Sequence, residues 1–458
     1  MEGYSSYAFM NDGKLVRLEF HDDLVRDKDV QGITPDEKKY KDIEFMPRGN
    51  NNDLCLGLLK EIWDNVTLSS NVDFKTKVVY GDGIHVYRKK RDESGKIVCE
   101  EVLESEAPEI FEFLERTEYD TIRFDLANNL MVYNDAYIEY IFNREDKPKV
   151  VKLQVRDTNY SLISKIDKKS GKSEYHGYCT GWSKQDFEDL VVTPLLDKRY
   201  PLTDMLMRMG LIENEDGKLE RTKDRRFVQN LMVPTPGRWY YNRPYWWSVI
   251  SSGWTGLANA IPKYKKALLT NQMAPRSIVY IKDTFWEKLF RETNATKAEE
   301  KEQQKKQFLD KLEQYLAGEE NAGRTLVVNF RYNGAKALED KDVIFQQLQD
   351  NLKGGEYIED SEEASNTLSY GMGVHPSIIG SSPGKNKSIN GTEARELFMI
   401  TQALHKVYQD AILKPLYMVK KINGWPEDIY FSTVNLQLVT LDQNSGAKKN
   451  KGIEEKEE

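Results

Sequence analysis

The stretch GVHPSIIG at residues 373–380, followed by SSPGKNKS at 381–388, decides how this chain is interpreted. Glycine at each end allows a positive φ, and Pro376 pushes His375 out of the helical region. We therefore predict a tight turn at 373–380, which we call the elbow. The polar loop after it cannot contribute to a core, whereas the apolar residues that recur after Gly391 predict a long helix. The candidate elbow residues are Gly373, His375, Pro376 and Gly380.

The loop after the elbow invites comparison with a phosphate-binding loop. That motif needs four residues between its glycines, followed by Lys and Ser or Thr. Here three residues separate Gly380 from Gly384, and Asn386 stands where the magnesium-binding hydroxyl belongs. Pro383 also removes an amide from the cradle. The spacing therefore disfavours a nucleotide site, and an NTPase stays only as an alternative.

Charge and composition limit the classes of partner. The 458 residues include 66 basic and 74 acidic side chains, for a net charge of −8, and 39% are hydrophobic. A protein that grips duplex DNA tightly needs a segregated basic patch, and the sequence has only short basic clusters. An acidic surface would instead let DNA slide past without sticking.

No catalytic or metal-binding pattern is present in the sequence. The five histidines have no ligand spacing, and Cys55, Cys99 and Cys179 lie far apart, which is typical of a reducing compartment. We predict no metal, no cofactor and no enzymatic activity. No signal peptide and no run of about 18 apolar residues occurs, so we expect no membrane association.

The first half of the chain predicts an α+β domain with an antiparallel sheet. Residues 1–50 have little periodicity and suggest a peripheral arm. A helix at 53–68 and a hairpin at 78–87 follow, and the hairpin turns at Gly-Asp-Gly. We further expect helices within 107–133 and strands at 136–142, 150–155, 160–166 and 175–179. An insertion at 196–225 should contain a short Met-rich helix followed by a charged loop.

The second half predicts long helices around a small module. The aromatic residues of 239–247 favour a packed corner over a base-stacking platform. Helices are expected at 246–270, bent or restarted at Pro262, and at 342–370. Between them lie a strand at 276–283, a helix at 296–317 and a strand at 324–330. A helix at 391–422, kinked at Pro415, a strand at 429–439 and a charged tail complete the chain.

Several stretches recur in an order that resembles one protein family. They are 59–83, which ends in GDG, 129–140, which contains NDAYIE, NRP at 242–244, NQMAP at 271–275, GEENAGR at 318–324, the elbow, and 388–415. Their order resembles that of bacteriophage portal proteins, the head-to-tail connectors, of the long-tailed-phage type. Asn242-Arg243 and His375 depart from the family pattern, and so does the insertion at 196–225. The resemblance covers residues 55 to 425.

The resemblance implies an α+β portal-type subunit with an antiparallel wing, a helical stem, a small β-α-β clip and a short helical crown. The implied divisions are an N-terminal arm (1–50), the wing (51–245), the first stem helix (246–274), the clip (275–334), the second stem helix with a wing helix and the tunnel loop (335–390), the long wing and crown helix (391–425), and the C-terminal strand and tail (426–458).

The resemblance also implies a function. Such portals form twelvefold homo-oligomeric rings at one capsid vertex of the virion, after synthesis in the host cytoplasm. Double-stranded DNA is packaged and ejected through the bore. The implied partners are the terminase large subunit, the head-tail adaptor, and the major capsid and scaffold proteins. ATP hydrolysis would belong to the packaging motor. A minor capsid or head-completion protein is the structural alternative.

Two groups of residues acquire roles from the resemblance. The loop facing DNA would contain Lys385 and Lys387, which could make transient phosphate contacts, and the clip would dock the motor or adaptor. The candidate tunnel-loop residues are Ser381, Ser382, Lys385, Asn386 and Lys387, and the candidate clip residues are Glu319, Glu320, Asn321 and Arg324.

Overall fold

The structure is a computed structural model that describes residues 5–9, 15–19, 32–35, 40–49, 52–91, 95–145, 147–214, 217–237, 240–271, 277–316, 325–330, 343–347, 356–379 and 391–436. The chain divides into two compact units. Unit 1 comprises Met1–Thr255 and Ala364–Glu458, and unit 2 comprises Gly256–Glu363.

Helices and strands occur in separate blocks along the chain, as the α+β prediction requires. Helices α1 to α12 span Leu54–Asp64, Val66–Tyr80, Pro108–Arg116, Tyr119–Tyr133, Pro201–Arg208, Ser248–Ser251, Trp254–Asn271, Asp283–Glu292, Ala298–Leu316, Glu356–Met372, Pro376–Ile379 and Gly391–Asn423. Strands β1 to β15 span Ser5–Phe9, Leu15–Glu19, Phe45–Met46, Ile84–Arg91, Ile97–Glu101, Asp135–Phe142, Val150–Arg156, Ser161–Ser164, Tyr175–Tyr178, Val191–Pro194, Arg226–Met232, Ser277–Lys282, Thr325–Phe330, Val343–Gln347 and Ile429–Thr433.

The sheets of unit 1 are antiparallel, which confirms that part of the fold prediction. The described strands form the β1-β2 hairpin and sheets of order β10-β9-β8-β3, β11-β6-β7 and β15-β4-β5. Strand β6 is central to its sheet and is almost entirely buried. Tyr137, Ile138 and Tyr140 are each 0% exposed. Both faces of the strand are covered, so its two carboxylates are buried as well: Asp135 contacts Arg48, and Glu139 accepts a hydrogen bond from Arg156 at 2.8 Å.

Part of the predicted N-terminal arm belongs to the core. Phe45 and Met46 form β3, pair with β8 and are fully buried beside Trp182. The prediction of a peripheral segment at 1–50 is therefore wrong for these residues. A strand of two residues is too short to produce a periodic signal, so the sequence alone does not reveal it.

The hairpin predicted at 78–87 is also wrong. Helix α2 continues to Tyr80, with Val78 and Val79 buried, and β4 begins at Ile84. The hairpin partner of β4 is the later strand β5. Packing of α2 against α4 and α12 thus overrides the β-propensity of the valines.

One further element of unit 1 agrees with the sequence prediction and another differs in detail. The insertion at 196–225 contains the predicted short Met-rich helix, α5, whose Met205 is fully buried and contributes to the core. The helix expected from 246 is interrupted at Gly253, with φ +85°, and α7 then runs through Pro262 without a break. Glycine, which reaches positive φ freely, ends α6 more readily than proline ends α7.

Unit 2 contains the predicted strand-helix-strand module and a strand that was not predicted. Strands β12 and β13 are parallel, and β14 pairs antiparallel with β12. Val279, Ile281 and Trp286 are buried at the core of this unit, where α8 and α9 also contribute side chains. The helix predicted at 342–370 is wrong over its first part, because 343–347 is β14 and α10 begins at Glu356. The β-prone run Val-Ile-Phe finds a non-local partner there.

Candidate functional site

The elbow forms the turn that its glycine predicts. Gly373 has φ +70° directly after α10. Its amide donates to the Tyr370 carbonyl at 2.9 Å, and the Val374 amide donates to the Ser369 carbonyl at 3.0 Å. These two bonds are the Schellman motif, which satisfies carbonyls at the end of a helix. Val374 is buried, so the chain leaves α10 in a fixed direction.

His375 lies immediately before the short helix α11, which begins at Pro376. Pro376 is its first residue, where the missing N–H costs nothing. The Ser377 amide donates to Nδ1 of His375 at 3.3 Å, and the Ile378 amide donates to the His375 carbonyl at 3.0 Å. His375 is exposed and caps the turn rather than packing in a core.

Three polar contacts join α2 to α10 before the elbow, and we call them the three rungs of the elbow ladder. Thr67 lies 3.4 Å from Ser365, and Asn71 donates to Ser369 at 3.3 Å. Lys75 donates its Nζ proton to the Met372 carbonyl at 3.0 Å, immediately before the turn. The spacing of three or four residues on each helix places all three rungs on one face.

Lys75 is the charged member of this ladder. It is 9% exposed, and burial lowers the pKa of its ammonium group to about 8. An ammonium at the C-terminal end of α10 also faces the negative end of the helix dipole. Lys75 therefore holds the last turn of α10 by both charge and a hydrogen bond.

Helix α12 is also hydrogen-bonded to α2. Gln409 donates to the Val78 carbonyl at 3.2 Å and to Oδ1 of Asn435 at 2.8 Å. Nδ1 of His405 donates to the Thr401 carbonyl at 2.7 Å. Burial lowers the pKa of His405 to about 4; its bond to Thr401 opposes this shift and the charge of Lys75 adds to it. The helices before and after the elbow are thus both anchored on α2.

Sequence reasoning missed this ladder. The apolar pattern predicts a helix only as far as residue 68, so Asn71 and Lys75 lie outside any predicted element. The available signal is the spacing Thr67, Asn71 and Lys75 on one helix, matched by Ser365 and Ser369 on the other. Such a signal becomes informative only when the two helices are known to be neighbours.

The structure brings together Gly373, His375 and Pro376 of the predicted site. The other predicted residues lie outside the described residues. They are Gly380 of the elbow, Ser381, Ser382, Lys385, Asn386 and Lys387 of the loop, and Glu319, Glu320, Asn321 and Arg324 of the clip.

Two stretches that carry the sequence resemblance meet in the core of unit 1. Asp135 is fully buried and accepts hydrogen bonds from the amide of Asn242 at 2.8 Å and from its Nδ2 at 2.9 Å. Arg48 lies 3.4 Å from the same carboxylate and 3.9 Å from the centre of the Tyr241 ring. The motifs at 133–140 and 242–244 therefore have a structural role in joining β6 to the aromatic corner.

The aromatic corner is a packed one, as the sequence favours. Tyr240, Tyr241 and Trp246 are at most 6% exposed. Nε1 of Trp246 donates to the Met131 carbonyl at 3.0 Å. Other protein atoms cover these three side chains. Among the described aromatic residues of the corner, Tyr245 is strongly exposed.

The described residues contain no cluster of three or more His, Cys, Asp or Glu side chains that could hold a metal ion. Cys55, Cys99 and Cys179 are all free thiols. Within the described ranges, no helix is long and apolar enough to cross a membrane.

Comparison with known proteins connects the fold to viral particles. No protein-family model and no curated protein matches the chain. A chain of "Virion of native gene transfer agent (GTA) particle" aligns with a TM-score of 0.52 at 14% identity, covering 84% of each chain. A chain of "Neck of empty GTA particle computed with C6 symmetry" aligns at 0.50 and 15%, covering 84% of each.

A third solved structure gives the same result. A chain of "Neck of native GTA particle computed with C12 symmetry" aligns with a TM-score of 0.50 at 14% identity, covering 88% of this chain and 87% of that chain. At these identities the likeness concerns the fold. This chain therefore shares most of its fold with chains found in the virion and neck of gene transfer agent particles.

Proposed function

We propose that this chain is the subunit of a portal ring, through which double-stranded DNA enters and leaves a viral capsid. One observation carries the proposal: more than four fifths of the chain shares its fold with chains of the virion and neck of a phage-like particle. The order of sequence motifs, which resembles that of portal proteins, also supports the proposal.

In this proposal unit 1 provides the wing, and β12, α8, α9 and β13 of unit 2 provide the clip. Helices α7 and α10 connect the two along the chain and correspond to the stem. The elbow ladder holds the last turn of α10 on α2. It therefore sets the point from which the chain continues toward Lys385 and Lys387.

The electrostatic balance suits a conduit for DNA. Affinity for a phosphate backbone grows with the number of phosphates that a protein neutralises. A chain with a net charge of −8 that offers two lysines on one loop would touch passing DNA without holding it. The ring itself would hydrolyse no ATP, since that activity would belong to the terminase motor docked on the clip.

Further contacts follow from the same proposal. The head-tail adaptor would replace the motor on the clip after packaging, and the major capsid and scaffold proteins would surround the wing. The proposed location is the portal vertex of the virion.

Negative-stain class averages of the purified chain test the proposal directly. We expect rings with a central hole and one rotational symmetry, twelvefold when assembled on a capsid. Particles without rotational symmetry at every concentration tried would contradict it and favour a minor capsid or head-completion protein. ATP turnover by the pure chain would contradict the non-enzymatic role and favour the NTPase alternative.

A further inference from the structure

Unit 1 contains a cleft of about 720 Å³ that the elbow and the aromatic corner do not use. It lies between the β8–β9 turn, the segment 195–200 before α5, and the end of β11, and we call it the β11 cleft. Sites for small organic ligands have volumes of about 300–1,000 Å³. Much of the described lining is apolar and comprises Ile163, Ile166, Leu195, Leu196, Met232 and Pro234.

The charged part of the described lining is mostly cationic. It consists of Lys172, Lys198, Arg199 and one carboxylate, Asp197. Asp197 is already occupied: its Oδ1 accepts from the backbone amides of Arg199 at 2.6 Å and Tyr200 at 2.9 Å, and its Oδ2 lies 3.1 Å from Nζ of Lys172. Three cations against one carboxylate leave a surplus of two positive charges, in a chain whose net charge is −8.

Two of these cations suit a phosphate group. Nζ of Lys198 donates to the Tyr240 carbonyl at 2.7 Å, and this neutral acceptor fixes the ammonium without cancelling its charge. The side chain of Arg199 is exposed. A guanidinium presents its donors as a fork that matches phosphate oxygens, and a lysine adds a compact charge. The cleft thus offers both kinds of phosphate ligand on adjacent residues.

Asn230 is the most buried polar residue of the described lining, at 7% exposed. Its Nδ2 donates to Oδ1 of Asp135 at 3.4 Å. Its Oδ1 has no hydrogen-bond partner in the part of the chain that the structure describes. Asn230 lies on the same face of β11 as Met232, which also lines the cleft. A buried acceptor without a donor is unfavourable, and an N–H group of a ligand would satisfy it.

We propose that the β11 cleft binds a nucleoside monophosphate. A phosphate monoester carries about −1.5 to −2 charges at pH 7, which matches the cationic surplus. The planar base packs against the apolar walls and donates an N–H to Oδ1 of Asn230. The site binds its ligand and breaks no bond. This inference does not depend on the proposed ring, since every lining residue belongs to unit 1 of one chain.

Isothermal titration of the full chain with adenosine, guanosine, cytidine and uridine monophosphate, each in turn, tests the proposal. We expect saturable binding of at least one of them, with one ligand per chain. The matching nucleoside and inorganic phosphate should each bind at least about tenfold more weakly, because each engages only one part of the cleft. No saturable binding of any of the four overturns the proposal, and so does inorganic phosphate that binds as tightly as the nucleotide.

Two variants separate the charges from the apolar walls. Lys198→Ala with Arg199→Ala should weaken binding at least about tenfold, because it removes two phosphate contacts. Ile166→Trp keeps every charge and fills the space for the base, so it should weaken binding as well. Unchanged affinity in either variant overturns the site.

The matched control is Lys168→Ala with Lys169→Ala. Both residues lie on the exposed β8–β9 turn and neither lines the cleft. This variant should bind the nucleotide as the wild type does. An equal loss of affinity in the control would show that the nucleotide binds to surface charge in general, which overturns the proposal.

Discussion

The buried carboxylate of Asp135 is the residue on which the core of unit 1 most depends. It is fully buried, contacts Arg48 and accepts two hydrogen bonds from Asn242. We expect Asp135→Ala to destabilise the fold by roughly 3–5 kcal/mol, because Arg48 would be left as an unpaired buried charge. Urea unfolding followed by tryptophan fluorescence measures the change.

The control for Asp135 is an exposed ion pair. Lys77→Ala removes the contact between Lys77 and Asp73 at 2.7 Å, where both side chains are more than half exposed. Its effect should stay below about 1 kcal/mol. Equal losses from the two variants would contradict the structural role of Asp135.

Gly371 tests how closely α10 packs against α6. A Cβ atom at this position would lie 2.2 Å from Cγ1 of Val249. Gly371→Ala should therefore cost about 1–3 kcal/mol through overpacking. Gly256→Ala on α7 meets no atom within 4 Å and should stabilise by about 0.5–1 kcal/mol. A stabilising effect of both alanines in urea unfolding would show that α10 has room to move.

At single residues, the sequence predicts best where the backbone dictates the residue type. The elbow turn at Gly373 follows from local geometry, and its positive φ confirms it. The buried ladder of Thr67, Asn71 and Lys75 depends on a helix about 300 residues later, as the separations of 297 and 298 residues within its hydrogen bonds show. No local pattern encodes that contact.

At the scale of elements, α12 should make the fold sensitive to acid through His405. Burial holds the pKa of this imidazole at about 4 in the folded chain, against about 6.5 when unfolded. Between these values the unfolded chain binds the extra proton, so stability falls as the pH falls from 6.5 toward 4. From pH 7 to pH 5 the loss due to His405 should be about 2 kcal/mol.

Urea midpoints of the wild type and His405→Gln at pH 7 and pH 5 measure this effect. Glutamine takes up no proton in this range, so the variant should lose less stability than the wild type on acidification. The same pH dependence in both proteins would show that His405 does not titrate on unfolding.

The sequence predicts elements that have a local apolar pattern, and it misses elements that are stabilised by distant partners. Strand β6 and helix α12 have clear apolar patterns, and both are found near their predicted bounds. The sequence around β14 predicts a helix, because Ile344, Leu348 and Leu352 have helical spacing. In the structure, β14 instead pairs with β12, some sixty residues earlier. Pairing of this kind overrides local preference.

At the scale of the whole molecule, the order of motifs was more informative than any one of them. The stretches at 133–140 and 242–244 are weak signals separately, but the fold brings Asp135 and Asn242 into contact. The tunnel-loop and clip residues stay predictions, and the loop is the one to test by function.

The loop lysines should affect DNA transit and leave assembly unchanged. Each lysine removed deletes one phosphate contact, so Lys385→Ala with Lys387→Ala should lower packaging or retention of DNA severalfold. Class averages of the double variant should show normal rings, since the elbow ladder involves neither residue. Lys168→Ala with Lys169→Ala, on the exposed β8–β9 turn, is the matched control and should package normally. Full heads with normal DNA content from the loop variant would show that these lysines do not contact the passing DNA.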